Sequence, residues 1–82
     1  MPYEPVLPEV AIAALKAAGA DVTVGLNNQV SIVKGEYEET LIFPPTGLKK
    51  HMLFRLQYHC GVPIRWFFHP ELISGYAPPK TN

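Results

Sequence analysis

The chain predicts an α+β domain ordered helix, three-stranded antiparallel meander, helix, followed by a short C-terminal segment. Three observations predict it. An alanine-rich run with helical spacing ends at Gly19, three β-type runs are separated by short polar breaks, and a second helical period runs into Gly61. At 82 residues the chain reads as a single domain, because a core divided in two at this size would be too small to fold.

Residues 1–7 read as an extended, proline-broken arm, residues 8–62 as the α-β-β-β-α core. Pro8 suits a first helical position, where its missing N–H is an orphan in any case, and Glu9 suits the positive end of the helix dipole. The spacing predicts a helix from Pro8 to Ala18, with Ala11, Leu15 and Ala18 on one face, Ile12 beside them, and Gly19 as the left-handed stop. Asp21 to Leu26 alternates Val22 and Val24 with Asp21 and Thr23, the pattern of a half-buried strand. Asn27-Asn28 then reads as a two-residue turn, since asparagine tolerates positive φ. Gln29 to Lys34 is the second strand, Lys34-Gly35-Glu36 the next turn, and Tyr37 to Phe43 the third strand, stopped by Pro44-Pro45. One face of this meander should pack on helices and the other should meet solvent or a partner.

Thr46 reads as the N-cap of a helix from about Leu48 to Cys60, closed by Gly61. At about 100° per residue, Leu48, Met52, Leu53, Leu56 and Cys60 share a core arc, whereas Lys50, His51, Phe54, Arg55, Gln57 and Tyr58 lie outside it. Ile64-Arg65-Trp66-Phe67-Phe68 has strand propensity, but Pro63 can equally open a third helix. The preferred reading of residues 63–76 is an irregular or short helical segment laid back over Phe54 and Tyr58, with 77–82 a loose end.

Charge and composition narrow the function classes. Seven basic residues cancel seven acidic ones, which disfavours a strong nonspecific nucleic-acid binder but leaves room for a local basic patch. With 48% apolar and 17% charged residues the chain is globular rather than disordered. Cys60 is the only cysteine, so no intramolecular disulfide or cysteine-rich zinc site can form, and a buried thiol in the reducing cytoplasm is the expectation. Neither a secretory leader nor a membrane-length apolar run is visible. His69 has no second ligand at metal spacing, and there is no phosphate loop, HExxH pair or nucleophile elbow, so no metal or cofactor is expected. Glu36, Glu38 and Glu39 read as a solvated edge that discourages strand pairing.

Several short stretches carry a family resemblance. Leu15-Lys16-Ala17-Ala18-Gly19 precedes the first strand, Gly25-Leu26-Asn27-Asn28 marks the hairpin, and Leu41-Ile42-Phe43-Pro44 ends the third strand. Leu48-Lys49-Lys50 opens the second helix and Tyr58-His59-Cys60-Gly61-Val62 closes it. Across roughly Val6 to Val62 the chain resembles the HicA family of toxin–antitoxin mRNA interferases, whose fold is related to the double-stranded RNA-binding domain. The resemblance implies action on RNA under the control of a HicB-like antitoxin. Family members typically carry Gly-Ser-His, sometimes with one residue inserted, entering the second strand, the histidine being the proposed acid or base. Here Gly25 matches the glycine, Leu26 stands in the place of the serine, and Asn28 falls where the histidine would be. An amide can hydrogen-bond a phosphate but cannot exchange protons near neutral pH, and general acid–base catalysis typically contributes about 10²–10⁴-fold. Cleavage by the family route is therefore expected to be severely impaired. The plainer reading is that Asn27-Asn28 is a hairpin turn and nothing more.

The outward residues group into two candidate surfaces. Lys49, Lys50 and His51 crowd a helix start, either as a phosphate seat or as a solvated basic corner, and with Asn27, Asn28 and Arg55 they make up the candidate nucleic-acid set. Phe54 and Tyr58, an i,i+4 pair, can stack on bases or on a partner, unless the C-terminal segment covers them. Trp66, Phe67 and Phe68 are more aromatic bulk than so small a domain readily buries, so they join Phe54 and Tyr58 as candidate partner anchors. The partner would be a HicB-like antitoxin, a host protein or a second copy of the chain. Two functions are thus in play. One is a HicA-like RNA-binding protein without efficient catalysis; the other is a small non-catalytic interaction protein, such as a phage or mobile-element inhibitor of a host complex.

Overall fold

A computed structural model describes residues 5–76. The first four residues of the expected arm and the expected loose end at 77–82 lie outside the described residues. Helix α1 spans Pro8–Ala17, strands β1, β2 and β3 span Asp21–Val24, Gln29–Lys34 and Tyr37–Ile42, and helices α2 and α3 span Lys50–Cys60 and Ile64–Phe68. The protein is therefore α+β, a helix, a three-stranded antiparallel sheet in the order β1-β2-β3, and further helices.

Helix α1 begins on proline, as its sequence dictates, and buries Ala11, Ala14 and Leu15. Its last turn is closed by a long-range cation: Lys34 Nζ on β2 donates to the Ala18 carbonyl at 2.6 Å, where the negative end of the helix dipole favours positive charge. Gly19, at φ 94°, takes the left-handed conformation that favours glycine.

The register places Val22, Ile32 and Glu39 in one row and Val24, Val30 and Leu41 in the next. Because side chains alternate along a strand, Tyr37 shares this helix-facing side, and Val30 and Ile32 are buried on it. Thr23, Ser31 and Thr40 form a row on the opposite side, with the Ser31 and Thr40 hydroxyls 3.1 Å apart. Val33 and Ile42 are exposed there, so the outer face is open, as the alternating pattern predicts.

Three expectations need correction. Strand β1 stops at Val24, not Leu26, and the turn is a three-residue loop, Leu26–Asn28. The Gly25 N–H donates to the Gln29 carbonyl at 2.8 Å, and Asn27 and Asn28 both take positive φ, at 57° and 64°. Residues 5–7 are extended and anchored: Val6 is buried and bridges Leu48, with Leu48 N–H to Val6 carbonyl 2.7 Å and the reciprocal bond 3.3 Å. That bridge holds Leu48 extended, so α2 starts at Lys50, the N-cap is Lys49 with no side-chain cap bond, and Thr46 has no capping role. The end of α2 is as expected, with Gly61 at φ 69° and its N–H bonded to the Gln57 carbonyl.

The segment after Pro63 is helical, and it packs against α1 and α2. Phe67 is buried in the core with Leu15, Leu53, Leu56 and Cys60, and a fully buried aromatic or leucine contributes about 1.5–3 kcal/mol relative to exposure. This inward anchor draws α3 to the core side of α2 rather than over its outer face. Tyr58 is consequently 84% exposed and Phe54 46% exposed, not covered as expected.

Candidate functional site

The outer face of α2 gathers most of the sequence-predicted site. Spacing of four residues lines up Lys50, Phe54 and Tyr58 on one ridge and His51, Arg55 and His59 on the next. Leu53, Leu56 and Cys60 pin the opposite face in the core. The two ends of this strip differ in what they touch.

At the head, Pro5, Lys49, Lys50, His51 and Phe54 line an open cleft of about 630 Å³. The Lys50 ammonium sits over the Phe54 ring at 5.9 Å from its centroid, a cation–π arrangement. Pro5 forms a wall because the Val6–Leu48 bridge carries the N-terminal segment past the start of α2. Gly47 makes the approach possible: at φ 126°, a Cβ on it would lie 2.3 Å from the Pro5 Cβ.

Further along, Arg55 is engaged. Its Nε donates to Glu39 Oε1 at 3.1 Å and its Nη2 to Glu39 Oε2, a bidentate pair between α2 and β3. The Tyr37 hydroxyl donates to the same Oε1 at 2.6 Å. The Tyr37 ring lies flat against the His59 imidazole, with centroids 4.4 Å apart and planes 4° from parallel, and Tyr58 meets His59 edge-on at 5.1 Å. The hydrogen bonds from Arg55 and then Tyr37 hold the Glu39 carboxyl below the ordinary carboxylate value. Burial, followed by the bond to Glu39, pushes the Tyr37 hydroxyl up to about 12. Glu39 is thus not part of a solvated edge, although Glu36 and Glu38 are exposed as expected.

The asparagines stand apart. Asn27 and Asn28 are exposed at the hairpin tip, the Asn28 carbonyl accepts the Phe43 N–H at 2.9 Å, and neither residue lines the cleft. Of the consecutive aromatics, Phe67 belongs to the core and so cannot be a partner anchor, Trp66 is half-buried against the core, and Phe68 is 44% exposed. His69 is exposed, with Nδ1 3.7 Å from Glu71 Oε2. Burial pushes the Cys60 thiol up, which suits an inert core residue. Among the described residues, no group of three His, Cys, Asp or Glu could hold a metal ion, and no helix is long and apolar enough to cross a membrane.

Sequence reasoning missed Pro5, Tyr37, Glu39 and His59. Strand parity carried a signal for two of them, since Tyr37 and Glu39 are in phase with the inward Leu41. Comparison of the chain with family models, curated proteins and solved structures found no match.

Proposed function

We propose that this is a HicA-like RNA-binding protein of a toxin–antitoxin type system, acting in the cytoplasm under a HicB-like protein partner and without efficient catalysis. Single-stranded RNA is the ligand. The observation that carries the reading is the cleft at the head of α2, where Lys49, Lys50 and His51 surround the exposed ring of Phe54 next to Pro5. Cationic side chains beside an aromatic platform are what single-stranded nucleic acid binding requires, because every base has a π-face and every linkage a charge. The Lys50 ammonium covers the Phe54 ring only through a flexible stem. It can swing to a phosphate while a base takes its place. Asn28 offers hydrogen bonds but no proton exchange near neutral pH, so binding is not followed by cleavage through that residue.

The test is anisotropy of a labelled single-stranded RNA oligonucleotide across a salt series. Two lysine contacts give a slope of log K on log salt of about −1.4. Lys49→Ala and Lys50→Ala should each flatten it by about 0.7, with the RNA recovered intact. Absence of binding at low salt, or a slope indifferent to both lysines, would refute the reading. A second reading, a non-catalytic inhibitor that binds a host protein, is favoured by the 84% exposure of Tyr58. It would gain if expression arrests no growth, RNA is not bound, and a stoichiometric complex with a host protein is lost in Tyr58→Ala.

A further inference from the structure

The Arg55–Glu39 pair lies on the same strip, and the role inferred for it rests on the RNA-binding reading. We infer that Arg55 is a second phosphate seat on α2, occupied by the protein's own Glu39 carboxylate, so that Glu39 sets how tightly single-stranded RNA is held. A carboxylate and a phosphate present the same pair of acceptor oxygens to a guanidinium fork. Glu39 fills the fork in that manner, with one oxygen on Nε and the other on Nη2, and the Tyr37 hydroxyl adds a third donor. Tyr37 is in turn held against the His59 ring, so the donor set is built before any ligand arrives.

Access and spacing fit the role. The Arg55 side chain is 48% exposed against 27% for Glu39, so an anion can reach the guanidinium from solvent. Arg55 lies one turn beyond His51 on the same ridge of α2, about 6 Å along the helix axis, and His51 lines the head cleft. A strand seated in the head cleft thus meets Arg55 next along that ridge. While Glu39 is ionised the pair has no net charge, and such a pair releases no counterion when a phosphate approaches.

The experiment compares Glu39→Gln with the wild-type chain in the same salt series. Glutamine keeps the shape and an acceptor but removes the charge. The expected result is binding about fivefold tighter, in keeping with freeing one exposed cation, and a slope steeper by about 0.7. Arg55→Ala in the Glu39→Gln background should cancel the gain, because the freed guanidinium is the group that the phosphate meets. Glu38→Gln makes the same change in net charge from an exposed position on the same strand and should give no gain. Thermal unfolding establishes that each variant is folded. If Glu39→Gln is not, Tyr37→Phe, which removes one bond to Glu39, should shift affinity the same way by less. A folded Glu39→Gln that binds no tighter than wild type, or an equal gain from Glu38→Gln, would overturn this inference and leave the lysine cleft standing. Failure of every variant to bind RNA would overturn both.

Discussion

The head and the middle of α2 carry similar side chains in different circumstances. At the head, Lys49, Lys50 and His51 ring a cleft and reach no acidic partner among the described residues. One turn further, Arg55 on the ridge of His51 is bound by Glu39 from β3. Both ends are exposed, basic and next to an aromatic ring. The difference comes from what lies opposite: the head faces Pro5, an apolar wall without charge, whereas the middle faces the inward side of β3, where Tyr37 and Glu39 point at the helix. A cation on a helix surface is therefore not yet a binding residue. The neighbouring strand decides whether its charge is available.

Substitutions can break this comparison at different depths. The largest effect should come from Leu56→Ala, since Leu56 is fully buried beneath both ends. A loss of about 2–5 kcal/mol in denaturant-derived stability is expected, with both ends losing their geometry together. Gly47→Ala separates them. Its positive φ and its collision with Pro5 should cost about 1–3 kcal/mol, spoil the head cleft and lower RNA affinity, while the near-ultraviolet signature of the Tyr37–His59 stack persists. Phe54→Ala should weaken RNA binding by about 1–3 kcal/mol and leave stability within about 0.5 kcal/mol, as measured by anisotropy and thermal melting of the same samples.

The smallest effects belong to the middle and are read by pH. Glu39 has its carboxyl held below its ordinary 4.5, so its ionised form stabilises the fold above that value. This contribution is lost as pH falls through the lowered folded value. The pair is exposed, so the acid limb of Tm against pH should steepen only slightly, and Glu39→Gln should flatten it. Tyr37 behaves in the opposite sense. Raised from 10.0 to about 12, its protonated form contributes fully below pH 10 and is lost as pH rises through about 12. Ultraviolet titration should show a late-ionising tyrosine that disappears in Tyr37→Phe.

Much of this architecture is local and hence legible. The proline start and glycine stop of α1, the alternation of β2, the positive φ of Asn27 and Asn28, and the Gly61 terminus of α2 each depend on residues within a few positions. The candidate site was legible in part, because helical spacing alone sets Lys50, Phe54 and Tyr58 on one outward ridge. Spacing says nothing about which of those residues a distant strand will engage, and Glu39 is sixteen positions from Arg55.

The amino-acid pattern by itself determined the order and type of the elements from α1 to α2 and the buried face of α2, because hydrophobic periodicity and turn chemistry act over one or two turns of chain. The tertiary structure alone decided where α2 begins, which way α3 turns, and which cations remain available. Those depend on a backbone bridge between Val6 and Leu48, on room for Phe67 in the core, and on a carboxylate brought in by strand register. All three are contacts between residues far apart in sequence, whose geometry exists only once the core has closed.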